Sequence, residues 1–260
     1  MNLKKILVCM CVLVFLCFVG ACTKQDAYNN YKKAFNQTAS VGSLNVEIGL
    51  SVGNEVETVH SLGNIKINDD NEMFYEMNVL GQTITQYMKD GVVRIFIDGI
   101  EVPVKLEEAV QDDTAEESFD LKTFLAEACK LLEVGKNKFM GLLEPIPSNY
   151  VSNIVATENG SDVMYSITVP EQFIKIFVEN FFKGGIKEKG IEITDLRDFE
   201  YICKQNQEGY LYSIKYTGDV TITVPMDLVE TGKEESFDLD VELNLEVVNP
   251  GTPVKVQVLE

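Results

Sequence analysis

The chain has 260 residues, 45 % of them apolar, with 41 acidic against 22 basic side chains and a net charge of −19. Such an apolar fraction excludes a disordered polymer and provides for a real core. The charge excludes nucleic acid as a partner, which needs a basic footprint, and argues against lying electrostatically on anionic lipid.

Residues 1–21 read as a secretory leader. Lys4 and Lys5 form a positive start, and Ile6 to Val19 are uncharged. That stretch is shorter than the about 20 residues needed to span a bilayer. It ends in Val19-Gly20-Ala21-Cys22, the apolar–small–small–Cys pattern of a bacterial lipobox. Cys22 is expected to be the first mature residue, acylated on sulfur. The implied location is the extracytoplasmic face of a cell membrane, held there through the Cys22 lipid, palmitate-like chains included. Cys9, Cys11 and Cys17 leave with the leader and serve only as small hydrophobes. Loss of Lys4 and Lys5 moves the net charge from −19 to −21. Cys129 and Cys203 remain, too few for a disulfide-stapled scaffold, and are expected to be unpaired buried thiols.

The organisation predicted is a leader over 1–21, a lipidated linker over 22–25 and one domain over 26–260. Asp26 is expected to cap a helix running to about Ala39, with Tyr28, Tyr31 and Phe35 as its apolar stripe. Leu44 to Val52 alternate apolar and polar at period two, which predicts a strand with one dry face. Val56 to Asn68, Met73 to Leu80, Thr83 to Met88 and Val92 to Ile97 continue an antiparallel meander. Asp69-Asp70-Asn71 and Lys89-Asp90-Gly91 supply its turns.

An acidic loop over 107–117 precedes a predicted helix through Leu121, Phe124, Leu125, Ala128, Leu131 and Leu132. Ile154 to Ala156 and Val163 to Val169 predict strands around Glu158-Asn159-Gly160. Pro170 opens a second helix, Glu171 to Lys183, closed by Gly184-Gly185. Phe173, Ile174, Ile176, Phe177, Val178, Phe181 and Phe182 cover more than one of its faces. A helix on a flat sheet edge needs only a stripe, so the surplus asks for burial on several sides or a cavity to line. Phe173, Ile176, Phe177, Phe181 and Phe182 are the candidate ligand-lining residues.

Four strands close the chain: Phe199 to Lys204, Tyr210 to Thr217, Val220 to Pro225 and Phe237 to Val248. A short last strand is expected at Val254, Val256 and Val258. Strands follow strands without helices between them, so the sheet is antiparallel and the class α+β. Most strands have one wet face, so helices cover one side only. A sheet this long curls, giving a half-barrel with helices on its concave side.

Four stretches carry a family resemblance: AYNNYKKAFNQTAS after the lipobox, QYMKDGVVRIFIDG, CKQNQEGYLYSIKYTGDVTI and LNLEVVNPGTPVKVQVLE. In pattern and order the chain resembles bacterial lipoproteins with a LolA-like fold, of the LppX and LprG type, over roughly residues 26–260. The resemblance implies a half-barrel whose hollow carries lipids or lipidated proteins by shape and apolar lining. It supplies no catalytic motif.

No Gly-x-Ser-x-Gly, His-Glu-x-x-His, phosphate-binding or calcium loop occurs, so neither enzyme activity, cofactor nor metal is expected. His60, the single histidine, is expected to be a structural hydrogen-bonder. Asp69 to Glu72 and the acid pairs at 112–113 and 116–117 are expected to be solvated turns and loop. Asn36-Gln37-Thr38 and Asn159-Gly160-Ser161 match the glycosylation acceptor, silent in a bacterial lipoprotein. Two functions compete. One is a lipid-anchored carrier or holder of an amphiphile. The other is a non-enzymatic surface interaction or sensor module whose half-barrel is filled by its own side chains. Neither reading names a protein partner.

Overall fold

The computed structural model describes residues 24–68, 70, 72–90, 92–102, 143–172, 174–175, 190–229 and 232–256. Residues 24–39 form helix α1. Lys24 is already helical, so Asp26 lies inside the helix and is not a cap.

The strands are β1 Leu44–Gly53, β2 Thr58–Ile67, β3 Met73–Val79, β4 Gln82–Lys89, β5 Val92–Ile97, β6 Ile100–Val102, β7 Asn153–Asn159, β8 Asp162–Thr168, β9 Glu192–Gln205, β10 Leu211–Val224 and β11 Glu235–Val247. A single 3-10 turn, Ser148–Tyr150, precedes β7. The eleven strands make one curled, unclosed sheet in the order β6-β5-β4-β3-β2-β1-β11-β10-β9-β8-β7, antiparallel throughout. This is the half-barrel that the alternating strands predict.

Register assigns the faces. Val46, Ile48, Leu50 and Val52 on β1 stand opposite Val247, Leu245, Leu243 and Val241 on β11 and opposite Ile65, Gly63, Ser61 and Val59 on β2. The same face continues through Met73, Tyr75, Met77 and Val79 on one side, and Ile214, Tyr216, Tyr201 and Ile167 on the other. Nearly all of these are buried core. The opposite face carries Glu47, Lys66, Glu76, Lys215, Glu242 and Glu246, tied by surface pairs such as Lys215–Glu242 at 2.9 Å.

Three expectations need correction. Tyr210 to Thr217 and Val220 to Pro225 are one strand, β10, and β9 begins at Glu192 rather than Phe199. The supposed break at Gly218-Asp219 is a bulge. Thr217 pairs with Glu200 and Asp219 with Arg197, so Asp198 and Phe199 oppose Gly218 alone. Asp198 takes φ +53°, and a Cβ on Gly218 would sit 2.6 Å from the Phe199 ring. The bulge re-aims Phe199 over the strand, and only glycine leaves room for it.

Residues 253–256 are not strand. Two prolines in the Asn249-Pro250-Gly251-Thr252-Pro253 turn remove ladder donors there. The outer face is not wet everywhere either: Phe74, Tyr87 and Phe96 on β3–β5 are buried on it. The consecutive apolar residues Met73-Phe74-Tyr75 serve both faces. His60 lies within β2, as expected, and is exposed on that outer face. The predicted helix over 121–132 and Cys129 lie outside the described residues.

Candidate functional site

The concave face has two unlike parts. Over β8, β9 and β10 lies α1, aligned by contacts at both ends. Lys24 Nζ donates to the carbonyls of Ser152 (2.8 Å) and Val151 (3.3 Å), and Gln37 Nε2 donates to the Glu208 carbonyl at 2.8 Å. Thr38 Oγ1 accepts from the Leu211 amide at 2.8 Å and donates to the Ala34 carbonyl. Between these ends sits a cluster of aromatic rings. Tyr31 packs edge-on against Phe35, Tyr165 and Tyr201, and Tyr201 lies 4.5 Å from the Tyr216 ring.

Polar atoms of this cluster are matched. Ile146 N donates to Tyr31 Oη at 3.0 Å, and Tyr31 Oη donates onward to Tyr201 Oη at 3.4 Å. Tyr165 Oη donates to Gln205 at 2.6 Å. Burial pushes the Tyr31, Tyr201 and Tyr216 phenols up, and does the same to the Cys203 thiol. All four therefore stay protonated at neutral pH. They offer a fixed, uncharged lining and neither a thiolate nucleophile nor a base. Cys203 is a free buried thiol, as expected of it.

The second part lies over β1, β2 and β3. It is lined by Val46, Ile48, Leu50, Ile65, Met73 and Met77, with Ser61 and Gly63 as small residues in its centre. Among the described residues of β1–β3, no charged side chain shares this face. Ser61 Oγ is fully buried and has no hydrogen-bond partner among the described residues. The Tyr75 hydroxyl turns to Met77 Sδ at 3.0 Å. The contacts described for α1 do not reach these strands. Geometry explains why: sixteen helical residues are about 24 Å long and about 10 Å across, whereas eleven strands at about 4.8 Å spread over roughly 48 Å.

Cys22, Phe173, Ile176, Phe177, Phe181 and Phe182 lie outside the described residues. Of their helix, residues 171–172 and 174–175 are helical, with Ile174 N donating to the Pro170 carbonyl and Ile174 buried in the core. Tyr165, Tyr201 and Tyr216 were not singled out by sequence reading. Their signal was parity: each occupies an inward position of its strand. Among the described residues no group of histidine, cysteine or carboxylate side chains could hold a metal ion, and no helix is long and apolar enough to cross a membrane. The Asn68–Glu72 turn is closed by its own side chains and by the Glu72–Lys89 ion pair.

No family model matches the chain, and no curated protein is significantly similar to it. Solved structures do match. The lipoprotein LppX of Mycobacterium tuberculosis aligns over 90 % of this chain and 99 % of its own, at 9 % identity and a TM-score of 0.45. LprF of Mycobacterium bovis aligns over 91 % and 98 %, at 12 % identity and 0.41. A LolA superfamily protein of Nitrosomonas europaea aligns over 87 % and 94 %, at 9 % identity and 0.22. These are the LppX-type and LolA-like proteins to which the sequence motifs point. The fold itself stands on the sheet's topology and register.

Proposed function

We propose that the chain is a lipid-anchored extracytoplasmic lipoprotein that holds an amphiphile, acyl chain inward, against the concave face of its half-barrel. One observation carries this reading: an uncharged concave surface wider than the helix described on it, with small and pliable residues at its centre. Met73 and Met77 adapt their unbranched side chains to an irregular occupant. An acyl chain gains about 0.8 kcal/mol per methylene buried there. The Cys22 acyl group is the membrane anchor in this reading. Phe173, Ile176, Phe177, Phe181 and Phe182 line the ligand from the second helix, and Gly184-Gly185 lets that helix swing.

A second reading has an observation of its own. Leu50, Ser61 and Val79 are at most 2 % exposed, which is the burial expected of a self-filled interaction or sensor module. Phe177→Asp separates the two. A carrier loses bound lipid while its far-ultraviolet circular dichroism is kept. A self-filled core unfolds, since an unpaired charge in it is costly. The measurement is lipid recovered per folded protein.

A further inference from the structure

Antiparallel connectivity sends alternate hairpins to opposite ends of the sheet. One rim carries the turns at 54–57, 80–81, 98–99 and 225–229, together with Ser148–Tyr150 leading into β7. The other carries the turns before β3, between β7 and β8, between β9 and β10, and after β11. Exposed large apolar side chains are divided unequally between them. Val56, Leu80, Ile97, Ile100, Tyr150 and Met226 stand on the first rim; among the described residues only Val92 stands on the second.

Leu80 is the most informative of the six. It holds φ +50° ahead of Gly81 at φ +81°. Two-residue hairpins that need two positive φ angles favour Asn, Asp or Gly first, and the equivalent turn on this rim uses Asp98-Gly99. A bulky residue there is strained. Leu80 is 48 % exposed, so core packing does not offset that strain. An apolar surroundings outside the protein would.

The start of α1 lies on the same rim, because Lys24 binds the carbonyls of Val151 and Ser152 just before β7. Two residue steps of about 3.5 Å each separate Lys24 from Cys22. An anchor so close leaves the body little freedom to turn away. We infer that this rim rests on the bilayer surface, with Val56, Leu80, Ile97, Ile100 and Met226 set among the lipid headgroups. The inference rests on reading the segment before Lys24 as the membrane attachment. Glu55, Glu57, Asp98 and Asp227 flank the apolar tips, so the matching surface is zwitterionic; anionic lipid repels them.

The chain has no tryptophan, so a single introduced indole is a clean reporter. Leu80→Trp and Met226→Trp report the anchored rim, and Glu208→Trp the opposite one. All three sites are exposed, so the fold is kept. Full-length protein purified from membranes is placed in phosphatidylcholine vesicles, with and without brominated acyl chains. The inference predicts blue-shifted emission, largely quenched by bromine, at residues 80 and 226, and unshifted, unquenched emission at 208. Equal quenching at both ends overturns it, and so does a protein that leaves the vesicles. A blue shift without quenching means that another protein covers the rim, and overturns it as well. The mass of the N-terminal peptide reads acylation separately. An uncut leader combined with a quenched rim defeats the Cys22 reading alone, because leader and acyl group attach at the same end.

Discussion

The two parts of the concave face are built on different physics. Over β8–β10 directional contacts fix one arrangement: Tyr31, Thr38 and Tyr165 each place a hydroxyl on a specific partner. Over β1–β3 the lining is mostly aliphatic and thioether, its contacts are largely non-directional apart from Tyr75 Oη to Met77 Sδ, and the Ser61 hydroxyl has no partner among the described residues. The first arrangement permits one packing. The second permits several, which suits a variable occupant. In the reading proposed above, the first part holds α1 and the second takes the amphiphile.

The sharpest way to break the comparison is Tyr31→Ala. It removes a fully buried ring and leaves Ile146 N and Tyr201 Oη without Tyr31. The expected cost is about 3–5 kcal/mol, read from the urea midpoint, with α1 detaching first in hydrogen exchange. Tyr31→Phe keeps the ring and should cost only about 1–2 kcal/mol. Next comes Gly218→Val, on β10 within the first part. The Phe199 ring stands 2.6 Å from the position of the new Cβ and must leave it, costing about 1–3 kcal/mol. A double variant that also carries Phe199→Ala should recover part of that loss.

Ser61→Ala should be nearly neutral or slightly stabilising, because an unpartnered buried hydroxyl costs free energy without a compensating bond. A loss above about 1 kcal/mol would mean that the hydroxyl is matched after all. That outcome would remove the contrast between the two parts.

The smallest effect concerns pH. Asp219 is raised by partial desolvation first and then by the neighbouring carboxylates Asp240 and Asp198. A carboxyl with a raised folded-state value opposes folding once ionised, so stability falls as pH rises from its ordinary value through the raised one. Asp219→Asn should therefore melt slightly above the parent at neutral pH, by no more than about 0.5 kcal/mol. The two should converge below pH about 4, where the acid is protonated in both states.

Much of the fold was legible because period-two alternation survives in β1, β2 and β11, where each strand has one apolar and one polar face. The joining of Tyr210 to Pro225 into one strand was not. A glycine followed by an aspartate looks like a turn, and its role as the receiver of Phe199 across a bulge depends on the register of its pairing with β9. The outer-face aromatics Phe74, Tyr87 and Phe96 were hidden for a similar reason. Alternation cannot say which face is covered when both are apolar. The tyrosine cluster follows from parity alone, once register is known. The candidates on the second helix were chosen from its broad apolar arc, a local property that the described strands leave unaddressed.

The central claim is that the concave face takes up an amphiphile, and uptake itself tests it most directly. Protein purified from membranes is extracted with organic solvent and the extract weighed by mass spectrometry. The delipidated protein is then titrated with a fluorescent fatty acid. The account predicts a co-purifying acyl lipid distinct from the Cys22 anchor, and saturable uptake of the probe that this lipid displaces. Protein that carries no lipid and never takes up the probe, while keeping its sheet signature in circular dichroism, would contradict it.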